Sequence, residues 1–332
     1  MEYLFWILLP AIGIVLIVLL GAYICYRIVF YAGKKKVLGP DELDVPKGKI
    51  YEPYYAYMEQ WAKECKELPQ EEVKITSFDG LTLYGKYYEY EPEAPMELMF
   101  HGYRGSAERD LCGGVQRARA LGRSVLIVDQ RTSRKSEGKV ITFGVNESRD
   151  CLSWLEYIVN RWPDKKIILT GISMGASTVL MAAGNELPEN VVHVLADCGY
   201  SSAKDIIIKC MRDLKLPEKV MYPLVKLGAR IFGRFDLEET SPIKAMSKCK
   251  VPVVFIHGED DDFVPCEMSK ENYEACTAFK VISTIPGAGH GLSYVVAPQE
   301  YLSVLADFAT WCGLKTTVLE NPIEKVRVKL TK

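Results

Sequence analysis

The 332 residues are 48% hydrophobic and 25% charged, with a net charge of −2. That composition excludes a disordered chain, and the near-neutral balance offers no broad basic surface to nucleic acid. The ten cysteines are scattered without a CxxC pair, which argues against a disulfide framework or a zinc site and fits thiols in a reducing compartment.

The chain starts with an uncharged run, YLFWILLPAIGIVLIVLLGAYICY, from Tyr3 to Tyr26. Twenty-four residues at ~1.5 Å each reach ~36 Å, enough for a bilayer core of ~30 Å. Pro10 and Gly13 are tolerated in a spanning helix. Arg27 can snorkel at its end, and Tyr3, Trp6, Tyr23, Tyr26 and Tyr31 suit aromatic belts. The alternative is a cleaved signal peptide, which needs a basic front and a shorter apolar core. Only Glu2 precedes this run, and Lys34, Lys35 and Lys36 follow it. Residues 1–33 are therefore expected to be a retained single-pass anchor in the cell membrane. The lysine excess after it predicts an outside N-terminus and a cytoplasmic domain.

Residues 34–50, rich in Pro and Gly, read as a linker. In the next stretch Tyr54, Met58, Trp61, Cys65 and Leu68 recur at helical spacing and form one apolar stripe. The stripe predicts a helix packed on the domain, with a membrane-surface helix as the alternative. Then VKITSF and TLYGKYYEY flank Asp79-Gly80, a hairpin signal. Apolar runs follow at 98–100, 125–128, 167–169, 191–196, 253–256 and 281–285, most of them separated by helical patterns. Such alternation predicts an α/β domain over 51–314, with a mostly parallel twisted sheet covered by helices on both faces. Residues 200–247 hold two helical patterns and no strand, which predicts a cap over the strand ends; the alternative is ordinary crossover helices, and one of the two must be a crossover, so the cap is expected to be small. Residues 315–332 are expected to be a tail.

The chemistry centres on Gly171-Ile172-Ser173-Met174-Gly175, entered by an apolar strand and left by a helical pattern. This is the context of a nucleophile elbow, in which a strained turn lifts a serine hydroxyl out of the sheet. A serine at its ordinary pKa needs a base. Of four histidines, His193 lies inside a predicted strand, while His101 and His257 each end one and precede Gly. His290, in the Gly-rich loop after the last strand, is the expected base. The imidazole needs a carboxylate, and one of Glu259, Asp260, Asp261 and Asp262, in the loop leaving a strand's carboxyl end, is expected to supply it. The bland reading of these four acids is a solvated loop or a weak cation site. Backbone N–H groups of Met174 and Tyr103 are the expected oxyanion donors. Cys266 is read as a buried inert thiol, with a redox-sensitive neighbour of the site as the alternative.

The stretches SFDGLTLYGKYY, MFHGYRGS, DQRTSRKSEGK, GISMGA, SPIKAMSKCKVPVVFIHGEDDDFVP and GAGHG resemble the α/β-hydrolase superfamily, in particular the bacterial serine-aminopeptidase-like branch with an N-terminal membrane anchor. The resemblance covers about residues 50–314. It implies the α/β-hydrolase fold and a triad of Ser173, Asp261 and His290, because Asp261 occupies the acid's position in the family's His-Gly-x-x-Asp-x-x-Val-Pro pattern. The turn Asp129-Gln130-Arg131-Thr132-Ser133-Arg134-Lys135-Ser136 departs from the family, lacking its Gly-His-Gly. Asp129 and Arg131 are expected to hold loops there by ion pairing. The function expected is a membrane-tethered serine hydrolase of carboxylic esters that needs no metal or organic cofactor, with lipid-like or hydrophobic acyl esters favoured by the nearby bilayer. An amidase or peptidase is the alternative, and a non-catalytic scaffold on the same fold is a further one.

Overall fold

The computed structural model describes residues 2–33, 39, 42–316, 318–319, 321–323 and 326. Lys34, Lys35 and Lys36, on which the expected orientation rests, lie outside the described residues, as does the side chain of Tyr3. The long N-terminal helix α1 (Glu2–Val29) contains Pro10. Its stretch Leu8–Val29 is long and apolar enough to cross a membrane.

Eight strands form one sheet: β1 (Glu71–Thr76), β2 (Thr82–Tyr88), β3 (Met96–Phe100), β4 (Ser124–Asp129), β5 (Ile167–Ile172), β6 (Val191–Asp197), β7 (Val253–Gly258) and β8 (Lys280–Ile285). The spatial order is β1-β2-β4-β3-β5-β6-β7-β8. The β1–β2 hairpin turns at Asp79-Gly80, and Gly80 takes the positive φ (86°) that such a turn asks of glycine. β2 pairs with β4 antiparallel, and all later pairings are parallel. Central strands read as unbroken apolar runs because helices cover both their faces.

On one face lie α4 (Val145–Arg161), α5 (Met174–Ala182) and α8 (Pro242–Met246), whose Trp154, Leu180 and Met246 pack with Leu98, Leu169 and Phe255. On the other lie α2 (Tyr55–Glu67), α3 (Ala107–Ala120) and α11 (Pro298–Trp311), whose Trp61, Val115 and Phe308 pack with Met99, Leu195 and Ile256. The apolar stripe of α2 thus packs on the domain. His193 is fully buried in β6, edge-on to Phe308. Part of the expected tail joins this face too, since Ile323 and Val326 are buried there.

After β6 come α6 (Ala203–Asp213) and α7 (Glu218–Gly228), followed by a wide helical turn, Ala229–Gly233. The two helical patterns of the sequence are these, but neither is the crossover. That role falls to the short α8, which a proline at its start and a Ser241 cap define. α6, α7 and the turn instead form a third cluster with the end of α1. Here Phe30 is fully buried and meets Phe143 and Phe235 edge-on at 5.8 and 5.2 Å. The remaining helices are α9 (Cys266–Ala275) and α10 (Ser293–Val296).

Candidate active site

β5 delivers the chain to Ser173 and α5 carries it away at once, which forces Ser173 to φ 56°, ψ −122°. Such a backbone is strained for any residue with a side chain and persists only where its surroundings hold it. Ser173 N–H donates to the Asp197 carbonyl at 2.8 Å. A Cβ at position 171 would lie 2.2 Å from the Gly175 carbonyl, and one at 175 only 2.1 Å from the Phe100 oxygen. The two glycines are therefore what allow strand, turn and helix to close this tightly.

Ser173 Oγ lies 2.9 Å from His290 Nε2, and His290 Nδ1 lies 2.6 Å from Asp261 Oδ2. The Asp261 carboxylate accepts a hydrogen bond from Nδ1–H, which leaves Nε2 to accept from the serine hydroxyl. All three side chains are nearly buried. Phe263 sits edge-on to the His290 ring at 5.1 Å. Asp261 Oδ1 accepts N–H bonds from Phe263 (3.0 Å) and Val264 (2.8 Å). Burial works to raise the pKa of Asp261. Hydrogen bonds from His257 and His290, the charge available on His290 and the Val264 N–H outweigh it and hold the carboxyl well below its ordinary range.

The loop after β3 reaches the serine from the other side. A Cβ on Gly102 would lie 3.8 Å from Ser173 Oγ. Many bonds hold this loop. Gly102 N–H donates to Asp110 Oδ2, Gln130 N–H donates to His101 Nε2, and the Ser133 hydroxyl donates to the Gly105 carbonyl. The end of α1 holds it as well. The Tyr103 hydroxyl donates to the Val29 carbonyl at 2.6 Å, and Arg104 donates to the carbonyls of Ile28 (2.7 Å) and Tyr31 (3.2 Å). These bonds satisfy carbonyls that a helix C-terminus leaves without partners. Met174 opens α5, where N–H groups have no intrahelical acceptor. Among the described residues, neither the Tyr103 nor the Met174 N–H makes a hydrogen bond.

A cavity of about 520 Å³ reaches Ser173 and His290. The expected cap shaped by residues 200–247 does not form its wall. The lining comes from residues 44–51, from Met58, Trp61 and Ala62 of α2, and from α3 and Tyr294. The insertion is instead packed against α1, which turns it away from the cavity.

No protein-family model matches the chain. YqkD of Bacillus subtilis is 28% identical over 190 residues, 57% of this chain. The match spans 62% of YqkD's own length, under two thirds of it. Protein bem46 of Schizosaccharomyces pombe is 26% identical over 246 residues, 72% of this chain and 76% of its own. Among solved structures, an esterase of Pyrococcus furiosus superposes with a TM-score of 0.61 at 23% identity, covering 82% of this chain and 99% of that one. An acylaminoacyl peptidase of Pyrococcus horikoshii gives 0.53 at 18% identity, covering 78% and 44%. The chain has the α/β-hydrolase fold.

Within that fold, several groups around the centre escaped the sequence reading. His257 Nε2 lies 3.2 Å from Asp261 Oδ2 and 2.8 Å from the Val264 carbonyl, so one carboxylate oxygen faces two imidazoles. Both neighbours of Nε2 are acceptors, which places its proton there; Nδ1 faces the Ser269 hydroxyl at 2.6 Å. The only signal for His257 was its position four residues before Asp261. Cys198 was not singled out either. A ligand atom of Cys198 lies within 4.8 Å of those of Asp261 and His290, a spacing that could hold a metal ion. Burial pushes its thiol well above the usual range, however, and Asp261 and His290 already bond to each other. Cys266, by contrast, is buried with its thiol pKa raised, in keeping with an inert thiol.

The turn after β4 corrects one expectation. Arg131 does make ion pairs, with Asp150 (2.7 Å) and Asp79 (3.0 Å). Asp129 plays a different part: it accepts from Ala107 N–H and from the Ser133 hydroxyl, tying the start of α3 to the turn. Of the acids beside Asp261, Glu259 accepts from Thr284.

Proposed function

We propose that the protein is a membrane-tethered serine hydrolase of carboxylic esters. The observation that carries this reading is the unbroken line from Asp261 through His290 to the strained Ser173, at 2.6 and 2.9 Å. In the proposed mechanism His290 Nε2 takes the Ser173 proton as Oγ attacks the substrate carbonyl. Asp261 holds the imidazole's tautomer and stabilises its charged form. N–H groups of Tyr103 and Met174 receive the oxyanion. The imidazolium then protonates the departing alcohol, leaving an acyl-serine. Water, activated by the same imidazole, attacks the acyl carbonyl and frees Ser173. The residues used are this chain's own, and no step calls for a metal or organic cofactor.

The cavity favours hydrophobic acyl groups, since Met58, Trp61, Met99 and Tyr294 line it. The apolar length of α1 supports the tether, and the lysine excess that follows it in sequence supports a domain on the cytoplasmic side. The test is turnover of p-nitrophenyl esters from acetyl to palmitoyl, beside aminoacyl p-nitroanilides, by the full chain in detergent. Ester turnover that vanishes in Ser173→Ala supports the reading. Anilide turnover exceeding ester turnover would move it to an amidase. A folded protein that turns over neither, and whose Ser173 resists a fluorophosphonate probe, would overturn it.

A further inference from the structure

Outside α1, four of the twelve exposed large apolar side chains of the described residues fall in one short segment. Leu214, Leu216, Val220 and Ile231 lie within 18 residues of the insertion, and Leu214 and Val220 are 70% and 62% exposed. Such side chains scattered singly need no explanation, but a cluster on one element does. Val220, exposed Pro223, half-buried Leu227 and Ile231 follow one another at helical spacing on the outer side of α7 and its following turn. The inner side is already used, since Val225, Gly228 and Ala229 are buried. α7 is thus apolar on two faces, one toward the protein and one toward its surroundings.

The neighbour of this stripe is α1. Leu224 meets Gly21, Gly228 packs on Ala22 and Tyr26, and the Phe232 ring meets Tyr23 and Tyr26 at 5.1 and 5.9 Å. From Leu224 to Gly228 the contact moves from Gly21 to Ala22 and Tyr26, and Phe232, in the turn after α7, stays on Tyr23 and Tyr26. α7 and the turn after it thus pack on α1 at the level of its last turns. At the same level Arg27 lies over the ring of Tyr31 at 4.2 Å, an aromatic and basic belt of the kind found at a membrane surface.

We propose that α7 and the Leu214–Pro217 turn form a second membrane-contacting element, lying in the plane of the bilayer interface with Leu214, Leu216, Val220 and Ile231 among the acyl chains. This rests on the reading that α1 crosses the bilayer. An interfacial helix buries its apolar face only ~5–10 Å into the headgroup–acyl boundary, a depth within reach of an element packed on the last turns of a span. The charges of the segment fit that depth. Arg212 pairs with Glu218 and Lys209 with Asp213, which leaves Lys215 and Lys219 as positive charge able to snorkel to the headgroups. A second copy of the chain is the other possible occupant of such a face. It is disfavoured because the outward faces of α1 beside it, at Ile17, Leu20 and Ile24, are themselves exposed and apolar. The domain then does not hang from a tether; it lies on the membrane, held at two elements.

The experiment uses the full chain in nanodiscs of mixed phosphatidylcholine and phosphatidylglycerol, with p-benzoylphenylalanine at one position at a time. Leu16 on α1 is the positive control, and exposed Asp164, before β5 at the far end of the sheet, is the negative one. Phospholipid acyl adducts at 16, 214 and 220, and none at 164, are expected. Adducts at 16 with none at 214 and 220, or protein–protein adducts at 220, overturn this inference and leave the anchor standing. No adduct at 16 overturns both.

Discussion

On one side of Ser173 the chain presents the end of α1, the loop carrying Tyr103, and the α6–α7 insertion. On the other it presents residues 44–51 and α2. Both coverings contribute apolar side chains, yet they touch different parts of the centre. The anchor side packs Phe30, Phe143 and Met174 into one cluster, so it bears on the backbone that turns around the serine. The linker side lines the cavity with Met58 and Trp61, so it bears on the space a substrate would fill. The insertion, the longest departure from the strand–helix rhythm, looked in sequence like the cover of the site. The cover is instead a Pro/Gly-rich stretch that looked like a spacer. Asp44 of that stretch is ion-paired with Arg134 of the turn after β4, which holds it over the cavity. A segment's length in sequence says little about which surface it will line.

The comparison yields changes whose expected effects can be ranked. The largest belongs to the centre that both sides serve. Asp261→Asn should lower kcat by about 10⁴, because the imidazole loses its orienting acceptor, and should do so for every substrate alike. Stopped-time ester assays read it. The same variant has a second signature. The native carboxyl's pKa is depressed, so its contribution to stability is full above the unfolded value of ~3.9 and is lost as pH falls through the lower folded value. The stability gap between wild type and Asp261→Asn should therefore narrow as pH drops below about 4, as seen by denaturant titration. A gap independent of pH would contradict the depressed carboxyl.

Next is Phe30→Ala on the anchor side. Emptying a fully buried phenylalanine site should cost about 3–5 kcal/mol of stability. If the anchor's end supports the oxyanion loop, kcat should fall at least tenfold with little change in KM, in protein shown to be folded by its thermal transition. Unchanged kcat would reduce the anchor side to packing alone. Trp61→Ala on the linker side should do the reverse. It enlarges the cavity, so the acyl-length optimum should move to longer chains while acetyl ester kcat stays within about tenfold. An unmoved profile would mean that substrates bypass this cavity. The smallest effect is expected from Tyr103→Phe, which removes only the hydroxyl bond to Val29. A loss of about 0.5–1.5 kcal/mol is expected from thermal unfolding, with the backbone N–H of residue 103 retained.

Most of the sheet was legible because parallel strands buried on both faces must be apolar throughout, and each of the six apolar runs falls within a strand from β3 to β8. Ser173 was legible because the elbow needs glycine on both sides, a local demand that local sequence reveals. His257 was not legible as a partner of Asp261. Nothing in a strand-end histidine announces that its Nε2 will meet a carboxylate four residues on, since that depends on how the intervening turn folds back. The same limit hid Cys198, which is brought beside the centre only by the pairing of β5 and β6.

The sequence by itself thus determined the alternation of elements, the apolar α1 and the residue types able to do acyl-transfer chemistry, because each depends on neighbours within about one turn or one strand. Tertiary structure alone decided that His257 shares the Asp261 carboxylate, which segment lines the cavity, and that the end of α1 grips the loop beside Ser173. The last two are contacts between residues far apart in the chain, as between Val29 and Tyr103, set by how the sheet brings strand ends together, and no local pattern encodes them.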